Sequence, residues 1–258
     1  LDITAGNFYE QFGTGLLLRS YEERNLGVDN AFDGIRVKYS TKYGLYLKGM
    51  VGKQRYFFDL GEGIVRGFDA MFSINEGFKA LNNSKLKVKI GGSFVSKFQE
   101  DNNPNYNLPE NVGSYAGRLN LQYKGFGFLG EYAYKLNDPS ADNNFIYKDG
   151  QAMYLSGTYS KKGLGIVLSA KSIDNMSYRS DRNEGLNNLL INYNPALTKQ
   201  HTYNLAATLY PYASQLMGEV AYQADIIYKL KKKSFLGGKY GTTIFINVSK
   251  SFGFTSCS

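Results

Sequence analysis

His201 is the only histidine in the chain, so a hydrolytic centre of the common kind would have to be built around it. Nucleophilic catalysis needs a serine within reach of the imidazole and an acid or amide to orient the ring. Asn204 lies three residues further on, which on a strand places it on the face opposite His201. No Gly-x-Ser-x-Gly elbow occurs. The spacing favours a histidine hydrogen-bonded near a strand end, and the chain is not expected to be an enzyme.

Other candidate chemistry meets similar objections. Gly13-Thr14-Gly15 and Gly61-Glu62-Gly63 offer Gly-x-Gly without a phosphate-loop continuation. Turns, bulges or close packing explain them better, and the first is expected to bend a strand inward. Asp101, Asp138, Asp142 and Asn143 lie in Asn- and Asp-rich stretches that lack EF-hand spacing, so they read as solvated loop tips. The single cysteine, Cys257, cannot form a disulfide within the chain or a Cys-based metal site by itself. No metal or cofactor is expected. The net charge is +8, but the one tight basic cluster is Lys229, Lys231, Lys232 and Lys233 beside a loop. With no nucleic-acid-binding motif, it reads as a solvated loop, and nucleic acid is not an expected partner.

The remaining charges sit inside long alternating segments. Arg36, Lys38, Lys48, Arg118, Glu131, Lys171, Glu219 and Asp225 fall on the polar faces of such segments. Arg66 and Asp69 are added as candidates, although residues three apart cannot both point the same way on a regular strand. A bulge near Gly67 is what that pair would require.

The elements that must position these residues are strands. Period-two alternation runs through almost the whole chain, and no helix is convincing. In 85–98, Leu86, Val88, Ile90, Phe94 and Phe98 share one face while Lys85, Lys87, Lys89 and Lys97 share the other. Counting such segments gives about twelve strands. They cover 4–20, 31–40, 44–56, 63–74, 85–98, 114–123, 126–136, 150–160, 164–173, 201–210, 217–230 and 240–251. Many are about 10 to 14 residues long by that count, against about 5–6 for a globular strand and about 9–11 for a strand crossing a bilayer. Composition agrees: 258 residues with Tyr 22, Phe 17, Gly 29 and Pro 5 suit one large all-β domain, 1–258. A mean hydropathy of -0.36 is compatible with a membrane barrel, whose alternating strands average out. No run approaches the length of a spanning helix. No signal peptide or initiator Met is present, which reads as a mature or trimmed chain.

Connections tend to alternate between tight (41–43, 124–125, 161–163, 211–216) and wide (21–30, 99–113, 137–149, 174–200, 231–239). Two fit poorly: 75–84 is long for the tight side, and 57–62 is brief for the wide side. Short turns at one end and long loops at the other are the pattern of outer-membrane barrels. The parity puts both termini at the short-turn end. Tyr39, Tyr115, Tyr123, Tyr134, Tyr159 and Tyr228 lie near strand ends on the apolar faces, where an amphipathic ring suits a lipid–water boundary.

Three stretches carry a resemblance. They are Gly6-Asn7-Phe8-Tyr9-Glu10-Gln11-Phe12-Gly13-Thr14-Gly15-Leu16 with its continuation to Asn30, Asn194-Pro195-Ala196-Leu197-Thr198-Lys199-Gln200-His201-Thr202-Tyr203, and Gly237-Gly238-Lys239-Tyr240-Gly241-Thr242. Together the chain resembles an uncharacterised family of bacterial outer-membrane barrel proteins. The resemblance implies a barrel and an outer-membrane location, and it carries over no functional residue.

The expectation is therefore an all-β, antiparallel up-and-down transmembrane β-barrel of about twelve strands, or a fragment of a larger barrel, acting as a passive channel or an envelope scaffold. Outer-membrane lipid, small anionic solutes and other envelope proteins are the expected partners. The excess of inward cations would favour anions if the lumen conducts. A lumen filled by paired side chains is the rival arrangement. The alternatives are an outer-membrane enzyme acting on lipid and a soluble β-rich binding protein.

Overall fold

The structure, a computed structural model, describes residues 1–24, 27–199 and 214–254. Eleven strands form one antiparallel sheet in which each pairs with its sequence neighbour. They are β1 (Asp2–Phe8), β4 (Phe32–Ser40), β5 (Leu45–Tyr56), β6 (Asp59–Ser73), β7 (Leu86–Phe98), β8 (Asn111–Tyr123), β9 (Phe126–Lys135), β10 (Gly150–Lys161), β11 (Leu164–Asp174), β12 (Gly218–Leu230) and β13 (Thr242–Gly253). A separate ribbon pairs β2 (Glu22–Glu23) with β3 (Val28–Asp29). The only α-helix among the described residues is α1 (Ile74–Gly77), in the long turn already conspicuous in the sequence. Among the described residues no helix is long and apolar enough to cross a membrane, a criterion that does not bear on strands.

The alternation decides the two faces. In β7, Leu86, Ile90 and Phe94 are exposed, while Ser93, Val95 and Lys97 are buried. The same side of the sheet carries exposed Ile35, Val51, Phe68, Leu119 and Leu168 on neighbouring strands. This outer face is thus apolar and uncovered. The opposite face meets a core. Phe8, Phe32, Met50, Val65, Val95, Val112, Ala133, Ala152 and Ile173 come one each from β1 and β4–β11, and all join one buried cluster. A sheet can bring nine consecutive strands to a single core only by curling around it.

What fills the curl is not wall. The segments 9–20 and 175–199 fold into it, and Phe12, Leu17, Leu18, Met176, Tyr178 and Ile191 have no exposed surface. They are joined by backbone bonds, Arg19 N–H to the Ile191 carbonyl at 2.8 Å and Tyr193 N–H to the Gly15 carbonyl at 2.9 Å. The expected strand 4–20 therefore ends at Phe8. Gly13 and Gly15, with φ of 53° and 99°, turn the chain inward through a bend that other residues rarely adopt.

The connections at one end are 41–44, 74–85, 124–125, 162–163 and 231–241; those at the other are 9–31, 57–58, 99–110, 136–149 and 175–217. We call these the turn end and the loop end. One expectation is corrected. β11 pairs directly with β12, so 231–241 belongs to the turn end. β1 then starts at the turn end and β13 finishes at the loop end, not both at one end. The expected strand 201–210 lies outside the described residues. The described sheet is open, with β1 and β13 as unpaired edges.

Candidate functional site: a plugged interior lined by ion pairs

Nine of the ten candidate residues lie on the inner face, and most are held by the inward segments. Glu10, which sequence reasoning passed over, is the hub at the N-terminal side. Its carboxylate accepts from Lys38 and Lys48 at 2.8 Å each, and Arg36 approaches to 3.7 Å. Burial raises the Glu10 carboxyl, but the lysine hydrogen bonds and the Gln11 N–H together outweigh it and hold the group below its ordinary 4.5. Asp69 pairs with Arg118 at 2.6 Å and accepts from the Ser93 hydroxyl at 2.6 Å. Glu131 accepts the Thr14 N–H at 2.7 Å and sits so close under Gly13 that a Cβ there would lie 2.3 Å from its carboxylate. Lys171 pairs with Glu219 at 2.7 Å and donates to the Pro195 carbonyl at 2.6 Å. Asp225 accepts from the amides of Asn247 and Gln223.

Arg66 is the exception and a correction. β6 runs regularly through 64–73 with no bulge at Gly67, so Asp69 faces in and Arg66 faces out. Its guanidinium lies 6.0 Å from the Phe98 ring on the outer wall.

A second hub was also missed. Lys97 and Lys135 are wholly buried on the inner face, with Asp138 between them at 2.7 and 3.7 Å. Lys135 also donates to the Ser177 carbonyl of the inward segment. The Tyr178 hydroxyl donates to the Val112 carbonyl at 2.8 Å, and burial raises its ionisation well above the ordinary phenol range. Arg179 pairs with Asp142 at 2.7 Å. The signal was present: both lysines occupy the polar register of their strands. Asp138 and Asp142, read as solvated loop tips, are instead anchors. Asp101 uses both oxygens on the N–H groups of its own loop, Asn103 and Leu108. Among the described residues no group of three His, Cys, Asp or Glu side chains is placed to hold a metal. His201, Asn204 and Cys257 lie outside the described residues.

The glycines of Gly61-Glu62-Gly63 also have a role here. A Cβ on Gly63 would lie 1.9 Å from the Ser180 carbonyl oxygen, so the inward backbone packs directly on β6. The Ser180 hydroxyl donates to Gln54 at 2.7 Å and the Gln54 amide donates to the Leu190 carbonyl at 2.8 Å.

This geometry defines an all-β protein, an up-and-down antiparallel sheet curled around a plug made from its own loop-end segments. The chain belongs to the family of unknown function DUF6029, whose profile matches residues 1–257. That agrees with the resemblance to an uncharacterised family. No curated protein matches the chain. Among solved structures, a BenF-like porin from Pseudomonas fluorescens Pf-5 is similar, with a TM-score of 0.43 and 11% identity, covering 98% of this chain and 69% of the porin.

Proposed function

We propose that the chain forms an outer-membrane β-barrel whose passage is closed near the loop end by its own plug, so that conduction requires the plug to move. The observation carrying the membrane reading is the outer face. Aliphatic and aromatic side chains stand uncovered on strand after strand, a belt far larger than a soluble monomer exposes. Tyrosines stand at both borders of that belt. Tyr39, Tyr123 and Tyr228 are near the turn end, and Tyr115 and Tyr132 are near the loop end. The packed loop-end interior supports closure: Phe12, Tyr178, Lys97 and Lys135 have no exposed surface, whereas a steady aqueous pore needs a wet lumen. Many inner-face charges are spent on the plug, as Lys38 and Lys48 are on Glu10, or on each other across the wall, as in Asp69–Arg118 and Lys171–Glu219, which argues against the open, passive channel expected from sequence.

A permanent structural role in the envelope is the second reading, favoured by the buried Lys97–Asp138–Lys135 cluster, which Lys135 ties to the plug through the Ser177 carbonyl. Planar-bilayer recording separates the two. The native protein is expected to show no sustained conductance. A variant with residues 177–191 replaced by a short Gly-Ser linker is expected to show single-channel steps. Sustained steps in the native protein would falsify the plugged reading. A silent but folded linker variant would leave only the structural role.

A further inference from the structure

We propose that the outer wall of β10–β13 carries a binding notch for one anionic phospholipid, with an acyl chain in the groove and the phosphate on Lys250. The inference rests on the membrane reading above. A cavity of about 420 Å³ opens on this wall. The strand register explains it. One row across the four strands reads Gly157, Leu168, Ala224, Val248, and the next reads Leu155, Ala170, Tyr222, Lys250. Three small residues fall together among large ones, and a Cβ on Gly157 would meet open space.

Lys250 supplies the charge argument. It stands on the outer, apolar side of β13, paired in register with Tyr222. Its ammonium lies 4.7 Å from the Phe252 ring, and no carboxylate pairs with it among the described residues. A cation on a lipid-facing wall is costly unless an anion meets it. The polarity is also right. The row containing Lys250 is the one nearer the loop end, and Lys250 is three residues, roughly 10 Å, from the strand end at Gly253. A phosphate there leaves the acyl chain running down the groove toward the bilayer centre. The side chain is long enough to lift its charge toward that border.

The test uses the full chain purified in detergent, washed free of lipid, and incubated with dioleoyl phosphatidylglycerol or dioleoyl phosphatidylcholine in mixed micelles. Retained lipid is read by native mass spectrometry. The expected result is about fivefold greater retention of the anionic lipid, abolished in Lys250→Gln. Gly157→Leu, whose Cβ meets open space and whose side chain occupies the notch, is expected to lower retention of both lipids. Equal retention of the two lipids, or a preference unchanged in Lys250→Gln, overturns the proposal. So does a second polypeptide occupying the wall in place of lipid. Release of the native protein from membranes by carbonate, without detergent, would instead sink the membrane reading on which the notch depends.

Discussion

Glu10 gathers three cations from two strands, and so makes the N-terminal plug segment sensitive to acid. Its folded-state ionisation lies below the ordinary 4.5, so its contribution is complete above that value and is lost as pH falls through the lower, folded value. Because Lys38 and Lys48 keep about a third of their side-chain surface in solvent, the contribution is modest, about 1 kcal/mol. Pepsin cleavage within the buried Leu16–Leu18 run, normalised to an unfolded control peptide at each pH, should therefore accelerate below about pH 4, within the carboxylate range, and Glu10→Gln should cleave at the fast rate already at about pH 5. A pH-independent rate would remove this role. Asp138 is the more severe case. Asp138→Asn leaves two wholly buried ammonium groups without their counter-ion, at a cost of about 3–5 kcal/mol. The folded form should then convert to the unfolded band at lower temperature on a heat-modification gel. Replacing Lys97, Lys135 and Asp138 together by Met, Met and Leu should recover much of that loss.

At the scale of elements, the wall was legible in the sequence and the plug was not. Strands β4 to β11 announce themselves because each hides one face and shows the other, and a period of two follows directly. Even the short 57–58 connection and the long 74–85 turn stood out. The inward segments have no period, since their backbone polar groups are satisfied by bonds to distant partners rather than by a ladder. Leu16-Leu17-Leu18 looked like part of a strand because local pattern cannot tell an apolar run in a wall from one in a core. Arg66 was misplaced for a related reason: its neighbour Asp69 is an authentic inner residue, and only strand regularity decides between them. The Gly63 contact belongs to this scale too. Gly63→Val would push a methyl group into the Ser180 carbonyl, costing about 1–3 kcal/mol. The prediction is that plug cleavage at Arg179 and Arg182 accelerates while the far-ultraviolet β signal is unchanged. A loss of the β signal would mean that the wall, not the plug, depends on this glycine.

Across the whole molecule, the division of chemistry runs opposite to a soluble protein's. Ionic groups are inside and paired, and hydrocarbon is outside and bare. The excess of cations anticipated as an anion-attracting lining is largely consumed by Glu10, Asp69, Asp138, Asp142 and Glu219. What sequence alone could weigh but not resolve was whether those charges would face water or each other. That depends on which loops fold back, a property of three-dimensional closure rather than of any local stretch. The edges that β1 and β13 form among the described residues show the same dependence. Backbone groups left unpaired there cannot face hydrocarbon without partners, so a stable bilayer form requires those edges to be satisfied.

The ties between plug and wall join residues far apart along the chain. Thr14 meets Glu131 across 117 positions, Ser180 meets Gln54 across 126, and Asn30 reaches Leu190 across 160. None of these ties can form early. Neighbouring hairpins can zip together one after another, but the centre can consolidate only once the ribbon has bent nearly round on itself. Maturation of this protein should thus be biphasic, with rapid hairpin growth followed by a slow, concerted sealing of the middle.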